Sequence, residues 1–110
     1  MQIKVDEKNG ISIFRMEGDI DINTSPGMKK SFDKAISEKK DRIIINLKGV
    51  EYVDSSGLAT LVEILKNLRG YGGKLKLTNL SPKVMGLFEI TKLNKLFDII
   101  GEEEDALSSF

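Results

Sequence analysis

The run Arg42-Ile43-Ile44-Ile45-Asn46-Leu47 constrains this chain more than any other segment. Three consecutive isoleucines are β-branched, stiff at χ1 and at home in extended backbone. Neighbouring side chains of a strand point to opposite faces, so an unbroken apolar run needs cover on both. The run therefore reads as a strand in the interior of a sheet.

The flanking patterns build out from it. Ile3 and Val5 alternate with polar residues, Asn9-Gly10 interrupts, and Ile11 and Ile13 resume. Asn-Gly between two alternating runs predicts a tight hairpin, because both residues tolerate positive φ. Beyond Ile13 the apolar phase shifts to Phe14 and Met16, so that strand is either buried on both faces or bulged. Ser25-Pro26 reads as a serine cap followed by proline where no N–H is needed, with Met28, Phe32, Ala35 and Ile36 on one helical face. Leu58, Leu61, Val62, Leu65 and Leu68 mark a second helix, ended by Gly70 and Gly72-Gly73. Leu75-Lys76-Leu77 is a further strand. Ser81-Pro82 opens a third helix with Val84, Met85, Leu87 and Phe88 inward. Leu96 to Ile100 reads as the last strand, and Gly101 to Phe110 either forms a short helix or frays. Strands alternating with helices imply right-handed crossovers. The expectation is one α/β domain over residues 1–110, with a mixed, mostly parallel sheet and helices mainly on one face.

Composition narrows the chemistry. The 110 residues contain no His and no Cys, and 17 basic residues balance 17 acidic ones. Imidazole bases, thiol nucleophiles, disulfides and His- or Cys-ligated metals are excluded. Neutral balance argues against a broad basic surface for nucleic acid. No run approaches the roughly 20 apolar residues of a membrane span, and the amino terminus lacks a signal-peptide pattern. A cytoplasmic protein without membrane, metal or cofactor is expected.

The segment Gly49 to Leu58, containing Asp54-Ser55-Ser56-Gly57, holds the most information. It joins a strand to a helix. Asp or Ser there caps the helix's free N–H groups, yet capping alone leaves the second serine redundant. The same helix start also tolerates a phosphoryl group on a serine, because free N–H donors and the helix dipole favour negative charge. A catalytic serine fits poorly. Only carboxylates and lysines could serve as base, and Val53 stands where a nucleophile elbow needs glycine. Gly73-Lys74 is no phosphate loop, since Leu68 and Leu75 occupy positions that need glycine and a hydroxyl residue. Asp19 and Asp21 read as a solvated loop rather than a calcium site.

At these residues the sequence resembles the anti-sigma factor antagonists, built on the STAS domain. Gly18-Asp19-Ile20-Asp21, Tyr52-Val53-Asp54-Ser55-Ser56-Gly57-Leu58, Gly72-Gly73-Lys74-Leu75-Lys76-Leu77 and Leu87-Phe88-Glu89-Ile90-Thr91 carry the resemblance across nearly the whole chain. Asp19 stands where Glu is frequent in the family, and Ala59 where Gly is common. The resemblance implies binding to a serine-kinase anti-sigma factor, which frees a sigma factor for transcription. It implies phosphorylation by that kinase on Ser55, with Ser56 the second choice, and reversal by a metal-dependent phosphatase. It places Asp21 near the phosphoserine, with Asn23, Thr24, Asp54, Gly57 and Leu58 in the partner contact. The alternative is a STAS scaffold module of another signalling or transport complex.

Overall fold

The computed structural model describes residues 1–110. In chain order the elements are β1 (Gln2–Lys8), β2 (Ile11–Glu17), α1 (Ser25–Ser37), β3 (Arg42–Gly49), α2 (Ser55–Arg69), β4 (Lys74–Thr78), α3 (Pro82–Ile90), a 3-10 turn (Leu93–Lys95), β5 (Asp98–Ile100) and α4 (Glu103–Ser108). The five strands lie side by side in sequence order, β1 antiparallel to β2 and every other pair parallel. The mixed, mostly parallel sheet is therefore as expected. Asn9 and Gly10 make the β1–β2 turn with φ of 52° and 77°, the two positive values that a two-residue hairpin needs.

β3 sits in the middle and is covered on both sides. Ile43, Ile45 and Leu47 face the main core with α1, α2 and α3, while Ile44 faces the other side with Ile11, Ile13 and Ala106 of α4. Both readings of β2 hold together. Phe14 and Met16 join the main core and Ile11 and Ile13 the smaller one, and the pairing with β3 slips between Arg15 and Glu17. The main core is held in part by Phe14 stacked on Phe32 with ring centroids 4.2 Å apart.

Two local expectations change, and one left open is resolved. Thr24, not Ser25, is the cap residue of α1, and Ser25 is the first helical residue, buried, its hydroxyl donating to the Asp21 carbonyl at 2.6 Å. Thr24 makes no cap bond because its Oγ1 is turned back, accepting from the Asp21 N–H at 2.9 Å and donating to the Asp19 carbonyl at 2.7 Å. β5 starts only at Asp98, since Leu93–Lys95 turn and Phe97 drops into the core. The carboxy-terminal residues form a helix, α4, on the far face of the sheet.

Polar groups at both ends hold α4 there. Arg15 donates from Nε and Nη2 to the two Glu103 oxygens at 2.9 Å each, and Asn46 Nδ2 adds a bond at 3.0 Å. At the other end Lys76 Nζ donates to the Ser109 carbonyl at 2.9 Å and lies 4.5 Å from the Phe110 ring centre. Arg15, and to a smaller degree Asn46, holds the Glu103 carboxyl below the usual glutamate range against the opposing effect of burial. A folded-state value depressed in this way contributes stability above the unfolded glutamate value of about 4.3, and the contribution is lost as pH falls through the lower folded value. Glu103→Gln should therefore unfold at lower urea than wild type near about pH 7, the two midpoints converging as pH falls through the lowered folded-state value. Equilibrium urea titrations at several pH values check this.

Candidate functional site

Two loops at the carboxyl ends of parallel strands build the site: residues 18–24 after β2 and residues 50–54 after β3. Such ends are where open α/β sheets place their functional loops. The loops are joined to each other. Ile20 and Val53 form a parallel bridge, the Ile20 N–H donates to the Tyr52 carbonyl at 2.9 Å, and the Asp54 N–H donates to the Ile20 carbonyl at 3.0 Å. Ile20 and Val53 are buried, so this junction extends the sheet by one step beneath the head of α2.

Asp54 organises what lies above it. One carboxylate oxygen accepts from the Gly57 N–H at 3.0 Å and from the Ser56 hydroxyl at 2.7 Å, capping α2. The other accepts from the Ile22 N–H at 3.1 Å, reaching across to the first loop. These donors, Ser56 first, lower the Asp54 pKa. A carboxylate so stabilised is a poor base, so Ser56 is held by Asp54 rather than activated by it.

The two serines differ. Ser55 is the first residue of α2, exposed, and its hydroxyl has no hydrogen-bond partner within the protein. Ser56 is half-buried, its hydroxyl on Asp54. Gly57 is buried where the helix passes close over the bridge; a Cβ there would lie 2.7 Å from the Ile20 carbonyl oxygen and 2.9 Å from Val53 Cγ1. Each residue of the Asp-Ser-Ser-Gly element thus has a separate job: staple, exposed hydroxyl, tethered hydroxyl and clearance. No group of three or more carboxylates is placed to hold a metal ion.

Residues 2–106 match the family model described as STAS domain. The chain belongs to the STAS domain family. This STAS chain is 36% identical over 107 residues to an anti-sigma-B factor antagonist of Bacillus subtilis, covering 94% of this chain and 96% of the relative. It is 29% identical over 109 residues to an anti-sigma F factor antagonist of Paenibacillus polymyxa, with 98% and 93% covered. Among solved structures, an anti-sigma factor antagonist from Mycobacterium paratuberculosis superposes with a TM-score of 0.90 at 24% identity, covering 98% of this chain and 92% of that one.

The STAS site differs in composition from the contact set expected above. Leu58 belongs to the main core at 7% exposure, and Gly57 is buried beside it, so neither presents a side chain at the surface. Leu58 carries the inward stripe of α2 that its spacing with Leu61 and Leu65 already marked. Asp21 uses one oxygen within its own turn, accepting from the Asn23 N–H at 2.9 Å and the Thr24 N–H at 3.0 Å, and so shapes the loop; its carboxylate makes no hydrogen bond to Ser55 or Ser56. Asn23 is exposed and Thr24 half-buried.

Three residues outside that set are prominent on this STAS surface. Ile22 is 70% exposed, Tyr52 45% and Ile90 82%. Ile22 is tied to Asp54, and Tyr52 and Ile90 line one shallow apolar groove with Val53 and Leu87. The signal for Ile22 was present in its sequence setting: an isoleucine between Asp21 and Asn23, in a loop with no apolar partner in register. Ile90 stands one turn past Leu87 and reads from spacing alone as another core residue.

Proposed function

We propose that this chain is a regulatory binding protein, not an enzyme: an anti-sigma factor antagonist that docks a serine-kinase anti-sigma factor and thereby releases a sigma factor. Phosphorylation of Ser55 ends the docking, and a metal-dependent phosphatase restores it. The observation that carries the proposal is the exposed, unpartnered Ser55 hydroxyl at the head of α2, beside a Ser56 hydroxyl already bonded. The names of the relatives, anti-sigma-B and anti-sigma F factor antagonists, supply the partner class.

The contact surface comprises Ile22, Asn23, Tyr52, Ser55 and the groove reaching Ile90, with Asp21, Thr24 and Asp54 holding its shape. The kinase transfers the γ-phosphoryl of ATP to Ser55 Oγ; ADP leaves, and the hydroxyl proton passes to a base on the kinase. The product adds a charge of about −1.5 to −2 next to the Asp54 carboxylate, at a contact that includes exposed apolar side chains. Covering that charge without a partner group is strongly unfavourable, so docking fails with little movement of the fold.

Incubation with its partner kinase and ATP, followed by intact-mass and peptide mass spectrometry, tests this. The wild type gains one phosphate on Ser55. Ser55→Ala is labelled at no more than about a tenth of the wild-type rate and still binds the kinase. Uptake of phosphate by Ser55→Ala to the wild-type stoichiometry overturns the assignment.

A further inference from the structure

We infer that Asp54 is a positioning residue that decides which of the two adjacent serines is modified, by tethering the Ser56 hydroxyl and leaving that of Ser55 free. The inference rests on the phosphorylation reading above. Its basis is geometric: Ser56 Oγ donates to Asp54 Oδ1 at 2.7 Å, the range of a strong hydroxyl–carboxylate bond, while Ser55 Oγ bonds to nothing.

A phosphoryl acceptor must present its oxygen to the γ-phosphorus and give its proton to the kinase's base. The Ser56 proton already points at Asp54, and that carboxylate is fixed from two further sides, by the Gly57 N–H at 3.0 Å and the Ile22 N–H at 3.1 Å. Modifying Ser56 would require breaking a charge-assisted bond that its neighbour does not have. A bond of that kind biases the choice by about tenfold or more. Exposure acts in the same direction, since Ser55 is exposed and Ser56 half-buried. Two adjacent hydroxyls thus become one substrate and one structural group.

The test uses two substitutions of Asp54. Glycine removes the carboxylate at a cap position where glycine is nearly as well tolerated as Asp. Asparagine keeps one oxygen for Ser56 and Gly57 but turns an amide toward the Ile22 N–H. In a Ser55→Ala background any phosphate must lie elsewhere, and peptide mapping locates it. Asp54→Gly should raise the rate of labelling at Ser56 about tenfold or more over Ser55→Ala alone. Asp54→Asn should leave it near the Ser55→Ala level. No rise with glycine, or an equal rise with both, overturns the inference, the second result assigning the effect to the loop instead.

A second measurement needs no kinase. Side-chain ³J couplings by NMR should show one χ1 rotamer for Ser56 in the wild type, averaged for Ser55, and averaged for both in Asp54→Gly. Averaged Ser56 couplings in the wild type would also overturn it. Failure of wild-type phosphorylation with a single Ser56 rotamer would instead count against the phosphorylation reading and leave the tether in place.

Discussion

Gly57→Ala should lower the thermal midpoint by about 10 °C, and Gly27→Ala, the same change in α1, should raise it slightly. The added methyl at position 57 would sit 2.7 Å from both the carbonyl oxygen and Cγ2 of Ile20. The oxygen belongs to backbone held by the Asp54 N–H bond and the bridge to Val53, so it cannot withdraw. Overpacking of this kind costs about 1–3 kcal/mol, and the close approach to fixed backbone puts it at the upper end, ~3 kcal/mol, offset in part by alanine's better helix propensity of ~1 kcal/mol. A net loss of about 2 kcal/mol corresponds to roughly 10 °C in a domain near 100 residues. At Gly27 nothing lies within 4 Å of an added Cβ, and only the propensity gain of up to ~1 kcal/mol remains. Differential scanning calorimetry of both variants separates clearance from propensity. Equal shifts of the same sign would refute the clearance argument.

Ser55→Asp should weaken binding to the anti-sigma partner about a hundredfold or more, ~3 kcal/mol, while the folded domain becomes no less stable. The two readouts move apart for one reason. A carboxylate in the first turn of α2 interacts well with the helix dipole, which favours the fold by about 0.3–1 kcal/mol. The same charge, covered by a partner, is set beside the Asp54 carboxylate, which takes part in none of the ion pairs of this chain. Titration calorimetry for binding, with thermal melts of the free protein, reads both. A variant that binds like wild type, or that loses binding together with its melting transition, would contradict the electrostatic account.

Local chemistry carried most of what could be read before the structure. Asn9-Gly10, the isoleucine run and Ser81-Pro82 each state a conformation through sterics or a single hydrogen bond, and each appears where expected; Ser81 Oγ accepts from the Val84 N–H at 3.2 Å. Ser25-Pro26 looked identical to Ser81-Pro82 and misled. Thr24 could take the cap position because the Asp21 turn had already curled the chain one residue earlier. The motif identified Asp54, Ser55 and Ser56 as a unit, but not their division of labour. The bond that fixes the Asp54 carboxylate from its other side, from the Ile22 N–H, joins residues 32 apart, and no periodicity reports a contact of that separation. Leu58 was misplaced because motif membership was read as exposure, whereas its helical spacing pointed inward.

The ends of the sheet bear on how the protein behaves at high concentration. β1 forms one margin and is exposed along nearly its whole length, with Lys4, Asp6, Glu7 and Lys8 along it. β5 forms the other and is only three residues long. An incoming strand needs a long, flat, apolar margin to pair with, and charged or very short margins withhold it. The chain can therefore display an apolar patch to a partner at one pole while remaining guarded against fibrillar stacking at its flanks.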